Sequence, residues 1–301
     1  ENKSMSEIKK NAMITICGRP NVGKSTLTNQ LVGEKIAIVS NKPQTTRNRI
    51  CAIVNSGDTQ LVIMDTPGLH KARTRLGDYM VRVVKESVAD VDAVVMLVEP
   101  IANIGPQEAE LMESLKQSRG PAILCINKID TVAKEELLAV ISTYAEAFDF
   151  AAVIPISAQN GDGVEELLAE MKKYAQEGPM LFPEEMVTDQ PEKQVCAEIV
   201  REKLLLCLDK EVPHGTAVEV TRFTERDNGI IDLDVTIYCE KASHKGIIIG
   251  RQGAMLKKIG ALARTDIESF MGTRVFLQTW VKVKENWRDS QAQLRNFGYS
   301  E

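Results

Sequence analysis

The sequence predicts two domains, an α/β domain whose mostly parallel sheet carries helices on both faces, followed by a smaller α+β domain. Three observations carry that reading. Short apolar runs at residues 13–17, 61–64, 93–98, 122–126 and 153–156 alternate with helix-length segments, the pattern of parallel strands joined by helical crossovers. Around residues 177–192 the pattern gives way to Gly178, Pro179, Pro183, Pro191 and several acids without periodicity, which reads as a linker. Beyond it, Ile231, Leu233, Val235, Ile237 and Cys239 alternate with Asp232, Asp234, Thr236 and Tyr238, as in a strand with one buried and one wet face. The expected boundaries are 8–176 for the first domain, 177–192 for the linker and 193–299 for the second domain with its tail.

Composition agrees. The 301 residues, 44% of them hydrophobic, suffice for two cores. With 26% charged residues and no apolar run near the ~18 needed to span a bilayer, the chain reads as soluble and cytoplasmic. No secretory signal opens it, and residues 1–4 read as an extraneous polar leader. Six cysteines without paired or metal-finger spacing read as small buried hydrophobes in a reducing compartment. The net charge is -5, yet between Lys241 and Thr265 stand Lys241, Lys245, Arg251, Lys257, Lys258 and Arg264 and no acid, a local footprint for phosphates.

In the first domain, the run 13–17 leads into Gly18-Arg19-Pro20-Asn21-Val22-Gly23-Lys24-Ser25-Thr26, which matches G-x-x-x-x-G-K-S/T between a strand and a helix-like segment. The glycines let backbone N–H groups approach phosphates, Lys24 reaches the β and γ oxygens, and the Ser25 hydroxyl coordinates magnesium. Asp65-Thr66-Pro67-Gly68 closes the run 61–64, where the acid can hold a magnesium-bound water and the Gly68 amide can face a γ-phosphate. Asn127-Lys128-Ile129-Asp130 closes the run 122–126. Asp130 can accept the N1 and N2 hydrogens of guanine, a pair that adenine lacks; Asn127 can address the other edge of the ring, and the Lys128 stem can cover its face. Ser157-Ala158, after the run 153–156, can offer a backbone N–H to guanine O6. In this order the four motifs compose a site for GTP and GDP.

These motifs, each at the carboxyl end of a strand, resemble the translational-GTPase-like class of P-loop proteins over roughly residues 14–174. The resemblance implies an α/β P-loop GTPase domain, with Asn21, Lys24, Thr46 and Gly68 at the reacting phosphate and Ser25, Thr46 and Asp65 around Mg2+. Thr46 is preferred as the second magnesium ligand within the polar stretch Asn41-Lys-Pro-Gln44-Thr45-Thr46-Arg47, which suits a mobile first switch; Thr45 competes for the role. Leu69 stands where a Ras-like protein has its water-positioning glutamine, and leucine cannot orient water. Asn21 looks like the asparagine that helps hold K+ in relatives with this kind of switch; fixing the loop's own hydrogen bonds is its other reading.

In the second domain a helical segment near 195–208, the strand 231–239, a helix-like segment 255–270 and an alternating run 275–283 give a helix–strand–strand–helix–strand order. His244-Lys245-Gly246-Ile247-Ile248-Ile249-Gly250-Arg251-Gln252-Gly253 places G-x-x-G between helix-like segments in acid-free surroundings. This resembles an α+β type II KH domain. It implies a grip on single-stranded RNA through the backbone of Gly250, Gln252 and Gly253, with Arg251 and Lys245 on phosphate and Ile248 or Ile249 lining the base groove.

A GTPase of this type followed by such a domain resembles the Era family. Further matches are Pro43-Gln-Thr-Thr-Arg47, Asp65-Thr-Pro-Gly-Leu-His70, Val212-Pro-His-Gly-Thr-Ala-Val-Glu219 and Val281-Lys-Val-Lys-Glu-Asn-Trp-Arg288, and the likeness runs to about Tyr299. It implies binding to small-subunit ribosomal RNA near its 3′ end, a part in assembly of the small ribosomal subunit, and loose association with the membrane; a monomer is the expected state. A non-enzymatic RNA chaperone and a membrane-surface signalling GTPase are the competing readings.

Overall fold

The computed structural model describes residues 9–69 and 71–299. The expected domain start at residue 8, the leader 1–4 and His70 lie outside the described residues. Contacts divide the described residues into two compact units, one of residues 9–36, 46–69, 71 and 80–189, the other of residues 37–45, 72–79 and 190–299.

The first unit runs β1 (Lys10–Gly18), α1 (Lys24–Val32), β2 (Ile50–Ser56), β3 (Thr59–Asp65), α2 (Arg75–Ala89, whose first turn belongs to the other unit), β4 (Ala93–Val98), α3 (Pro106–Lys116), β5 (Ala122–Ile126), α4 (Lys134–Ala147), β6 (Ala152–Pro155), α5 (Val164–Lys172) and the two-residue β7 (Gln176–Glu177). The sheet order is β2-β3-β1-β4-β5-β6, parallel except for β2, with β7 antiparallel to the start of β1. Every residue of β4 is buried, so both faces of the sheet are covered. Val94, Met96 and Val98 share one core with Val84 and Val88 of α2, Leu111 and Leu115 of α3, and Val140 and Tyr144 of α4.

Two features were not legible in the runs. β2, a short stretch whose partner lies across a tight turn at 57–58, forms the antiparallel edge. The segment read as a linker is bonded to β2 and to its neighbour β3. Gln60 Oε1 accepts from the N–H groups of Leu181 and Phe182, Val187 receives the Ile53 N–H at 2.9 Å, and the Thr188 hydroxyl donates to the Cys51 carbonyl at 2.7 Å.

The second unit is built on α6 (Glu192–Cys207), β8 (Ala217–Glu225), β9 (Ile231–Cys239), α7 (Ala242–Ile249), α8 (Ala254–Met271), β10 (Val275–Val283) and α9 (Gln291–Asn296). Its sheet is ordered β10-β9-β8, with β9 parallel to β10 and antiparallel to β8. Ile231, Leu233, Val235, Ile237 and Cys239 pack against Val195 and Ile199 of α6 and Ile259, Ala263 and Ile267 of α8. The opposite face is drier than alternation suggests: Asp232, Thr236 and Tyr238 are buried too. β9 is the central strand, and neighbouring side chains close over it, with Arg226 paired to Asp232 at 2.5 Å and Tyr238 Oη donating to Glu219 at 2.9 Å.

Residues 37–45 are held within this unit. The Val39 N–H donates to Glu202 Oε1 at 2.9 Å, and the fully buried Arg201 guanidinium, paired with Glu198, donates to the carbonyls of Gln44 and Thr45. The tail is part of the fold as well. Trp287 is fully buried, donates from Nε1 to the Gly215 carbonyl at 2.8 Å, and meets Phe297 edge-on at 5.4 Å. Trp287→Ala is expected to destabilise this unit by ~3–5 kcal/mol through the cavity it leaves. Trp287→Phe, which loses mainly the bond to Gly215, is expected to cost ~1–3 kcal/mol. Urea unfolding of the two variants followed by circular dichroism checks the ranking.

Candidate nucleotide site and nucleic-acid groove

β1 delivers the chain at Gly18 to a loop that ends where α1 begins, at Lys24. Gly23 sits there at φ 103°, and a Cβ on it would lie 2.2 Å from Asn127 Nδ2, so a side chain is excluded both by backbone conformation and by space. Asn127 is buried. Its Nδ2 donates to the Val22 carbonyl at 2.8 Å and its Oδ1 accepts the Ala158 N–H at 2.9 Å. Lys128, left-handed at φ 62°, donates from Nζ to the carbonyl of Asn21, which is itself left-handed at φ 66°. The three loops expected around a guanine are thus bonded to one another.

That geometry bears on two assignments. Asn127 gives one Nδ2 hydrogen to Val22 and accepts from Ala158, which leaves its second Nδ2 hydrogen for a ring edge. The Ala158 N–H goes to Asn127 and the Ser157 N–H to the Asp162 carbonyl at 2.9 Å, so neither is turned toward a guanine O6. Asp130 is exposed in the turn Ile129–Thr131, with no hydrogen-bond partner among the described residues, and is open to a base.

Lys24 is buried, with Nζ donating to the carbonyls of Gly18 at 3.1 Å and Arg19 at 2.8 Å. Burial pushes its pKa down to about 8, against the pull of Asp65. Ser25 Oγ donates to Asp65 Oδ2 at 2.8 Å and lies 2.9 Å from Thr46 Oγ1, so the three expected magnesium ligands converge. Thr45 does not join them: its hydroxyl lies 3.0 Å from Ser40 Oγ and donates to the Lys42 carbonyl at 2.6 Å. Asp65 Oδ1 is buried without a hydrogen-bond partner, and burial raises the Asp65 pKa to about 6 against the attraction of Lys24. A partnerless carboxylate oxygen beside two hydroxyls is a set of hard donors that suits a small dication such as magnesium.

The remaining loop residues have structural partners. Thr66 is buried, with Oγ1 donating to the Ile16 carbonyl at 2.8 Å; a Cβ on Gly68 would lie 2.8 Å from the Pro20 backbone; Thr26 lies in the first turn of α1. Leu69 is buried in the core beside Val84 and Val88 and donates its N–H to the Gly18 carbonyl, so it has no means of orienting water. Arg19 faces two acids that the motifs did not flag, Glu99 at 3.2 Å and Glu108 at 3.3 Å.

In the second unit α7 ends at Ile249, and Gly250-Arg251-Gln252-Gly253 turns the chain into α8. Arg251 and Gln252 are exposed, while Lys245 and Ile249 are half-buried. Ile248 is fully buried in the core, which removes it from any base groove. An open groove of about 480 Å³ runs beside the loop instead, lined by Gly253, Leu256, Lys257, Gly260, Ala261 and Arg264, with Leu277 and Thr279 of β10 opposite. The positions 253, 256, 257, 260, 261 and 264 recur at three and four, a single helix face that periodicity could have marked.

Asp65 is expected to make the stability of the nucleotide-free protein depend on pH. Its folded pKa of about 6 lies above the model-peptide value of 3.8, so between those two values the folded state keeps a proton that the unfolded state has lost. Its stabilising contribution is therefore full below about pH 4 and lost as pH rises through about 6. Thermal unfolding without metal or nucleotide should show that slope, and Asp65→Asn should flatten it.

Comparison with known proteins agrees with this geometry. Residues 13–128 match the family described as 50S ribosome-binding GTPase, and residues 211–288 match the KH domain family. The chain is 52% identical over 290 residues to GTPase Era of Ruminiclostridium cellulolyticum, covering 96% of this chain and 97% of that one. It is 50% identical over 290 residues to GTPase Era of Clostridium kluyveri, covering 96% and 99%. Among solved structures, an Aquifex aeolicus Era variant bound to GDP and aluminium fluoride superposes with a TM-score of 0.93 at 35% identity, covering 97% of this chain and 100% of that one. With the nucleotide loops and the KH groove in place and likeness running the length of the chain, the protein belongs to the Era family of GTPases.

Proposed function

We propose that this GTPase is a switch that couples GTP hydrolysis in its first unit to the holding of single-stranded small-subunit ribosomal RNA, near its 3′ end, in the groove of its second. The process served is assembly of the small ribosomal subunit. The observation that carries the RNA half is the groove, where the apolar Leu256 and Leu277 are flanked by the cations Lys257 and Arg264. Bases can pack on such a floor while phosphates meet the charges. An Era structure that is 35% identical and covers 97% of this chain, with a TM-score of 0.93, was solved with MgGDPNP and nucleotides 1506–1542 of 16S ribosomal RNA.

For hydrolysis, Lys24 would exchange the Gly18 and Arg19 carbonyls for phosphate oxygens, and Asp130 would accept from the guanine edge. Ser25, Thr46 and Asp65 would hold magnesium, which when bound neutralises phosphate charge. Because Leu69 is buried, the attacking water is positioned by groups other than the side chain after Gly68. The described residues contain no helix long and apolar enough to cross a membrane. A cytoplasmic monomer is the proposed state, with membrane contact peripheral to the fold.

Gly253→Asp tests the RNA half. A Cβ on Gly253 meets nothing within 4 Å, and Asp tolerates the left-handed backbone at φ 77° better than most residues, so the fold should persist with a carboxylate placed against RNA. Affinity for single-stranded fragments of small-subunit ribosomal RNA should fall at least ~tenfold. Arg251→Ala should instead flatten the slope of log K against log salt by ~0.7. A mutant shown by circular dichroism to be folded, yet binding RNA like the wild type, removes the groove from the mechanism.

The role of Asn21 is decided by salt. If its side chain holds K+ beside the transferring phosphate, replacing sodium by potassium at constant ionic strength raises turnover, and Asn21→Ala removes the rise. Equal rates would leave Asn21 with a purely structural role in the loop.

A further inference from the structure

Glu99 belongs to none of the four nucleotide motifs, yet two of them close on its carboxylate. It directly follows β4, at the carboxyl end of the sheet. Its Oε1 accepts from Lys128 Nζ at 2.8 Å and its Oε2 from Arg19 Nη2 at 3.2 Å, one cation to each oxygen. Arg19 has a second acid, Glu108, in the first turn of α3. For Lys128, Glu99 is the one acidic partner among the described residues; its other bond runs to the Asn21 carbonyl, again on the phosphate loop.

The setting gives these bonds weight. The Glu99 side chain is 23% exposed, and those of Arg19 and Lys128 are 34% and 40%, so water and salt screen the pairs only in part. Asn21 and Lys128 both carry left-handed backbones, a conformation that lysine rarely adopts unless surrounding bonds hold it there. The Lys128 ammonium supplies one such bond, and Glu99 fixes where that ammonium sits.

We propose that Glu99 is a positioning residue for guanine-nucleotide binding. By gripping Lys128 and Arg19 together it locks the base-reading loop and the phosphate loop in one mutual register. The idea rests on the nucleotide-site reading above. Glutamine cannot replace it, because the amide keeps one acceptor oxygen and turns an N–H2 donor against the other cation.

The test uses the full chain and a fluorescent GDP. In Glu99→Gln, nucleotide release should be about five- to tenfold faster, the range expected for partly sheltered charge pairs. In turnover, KM should rise by more than kcat changes. The effect should run through the named cations: in a Lys128→Met background, Glu99→Gln should accelerate release by no more than about twofold, since coupled residues are not additive. Higher salt should narrow the gap between wild type and Glu99→Gln. Should the glutamine variant unfold in a thermal scan, Glu99→Asp takes its place, since it keeps the charge but is one methylene too short to span both partners, and its release should be intermediate. Unchanged release, a loss confined to kcat, or a full effect persisting in the Lys128→Met background would overturn the proposal. A wild-type chain that fails to hold GDP would overturn the site reading itself, whereas a wild type that holds GDP no better than Glu99→Gln would overturn only the role of Glu99.

Discussion

The Asn127 carboxamide lies buried among three loops, its donor on Val22 and its acceptor on Ala158, and the nucleotide site is organised around it. A buried polar group deprived of its partner costs ~1–3 kcal/mol, so displacing either neighbouring loop is opposed at this one side chain. Gly23 owes its identity to the same group, since anything larger would collide with the amide nitrogen. The glycine-rich loop and the Asn127–Asp130 loop are therefore one structure. The ion pairs of Glu99 with Arg19 and Lys128 repeat that linkage on the outer side of the loops.

The metal set shows a similar division of labour. Thr45 and Thr46 are chemically equivalent neighbours, but one hydroxyl turns into its own loop and the other meets Ser25. The carbonyl just before Thr46 receives the Arg201 guanidinium, a buried charge that would be costly to leave with Glu198 alone. Local bonding of the main chain, more than residue type, decides which threonine meets Ser25.

Much of this was legible before the coordinates. The strand-ending motifs placed Lys24, Ser25, Asp65 and Asp130 where they are found, because a glycine-rich loop between strand and helix admits few geometries. The alternation in β9 gave its core face, but it could not show that Asp232 and Tyr238 would be covered by arginine and glutamate from the neighbouring strand. The Ala158 N–H turns to Asn127 because a motif fixes which donors are present and leaves open where they point. Ile248 failed for a related reason: three consecutive isoleucines look alike in sequence, and only helical phase decides that the middle one enters the core. Glu99 and Glu108 were invisible because a lone acid after a strand and another in a helix's first turn carry no spacing signal. The groove residues of α8 did carry one, in their three-and-four recurrence, which the prominence of the G-x-x-G loop obscured.

The discontinuity of the second unit bears on how the chain is made. Residues 37–45 leave the ribosome long before Arg201 and Glu202, the groups that hold them, and residues 72–79 precede Trp287 and the tail by some two hundred positions. At ~5–20 residues per second of synthesis, the first of these segments waits roughly ten to thirty seconds for its partners. The parallel pairing of β9 with β10 adds a further delay, because closing it requires the whole crossover through α7 and α8. A nascent chain can thus complete most of the first unit's sheet while the main chain leading into Thr46 still lacks its anchor.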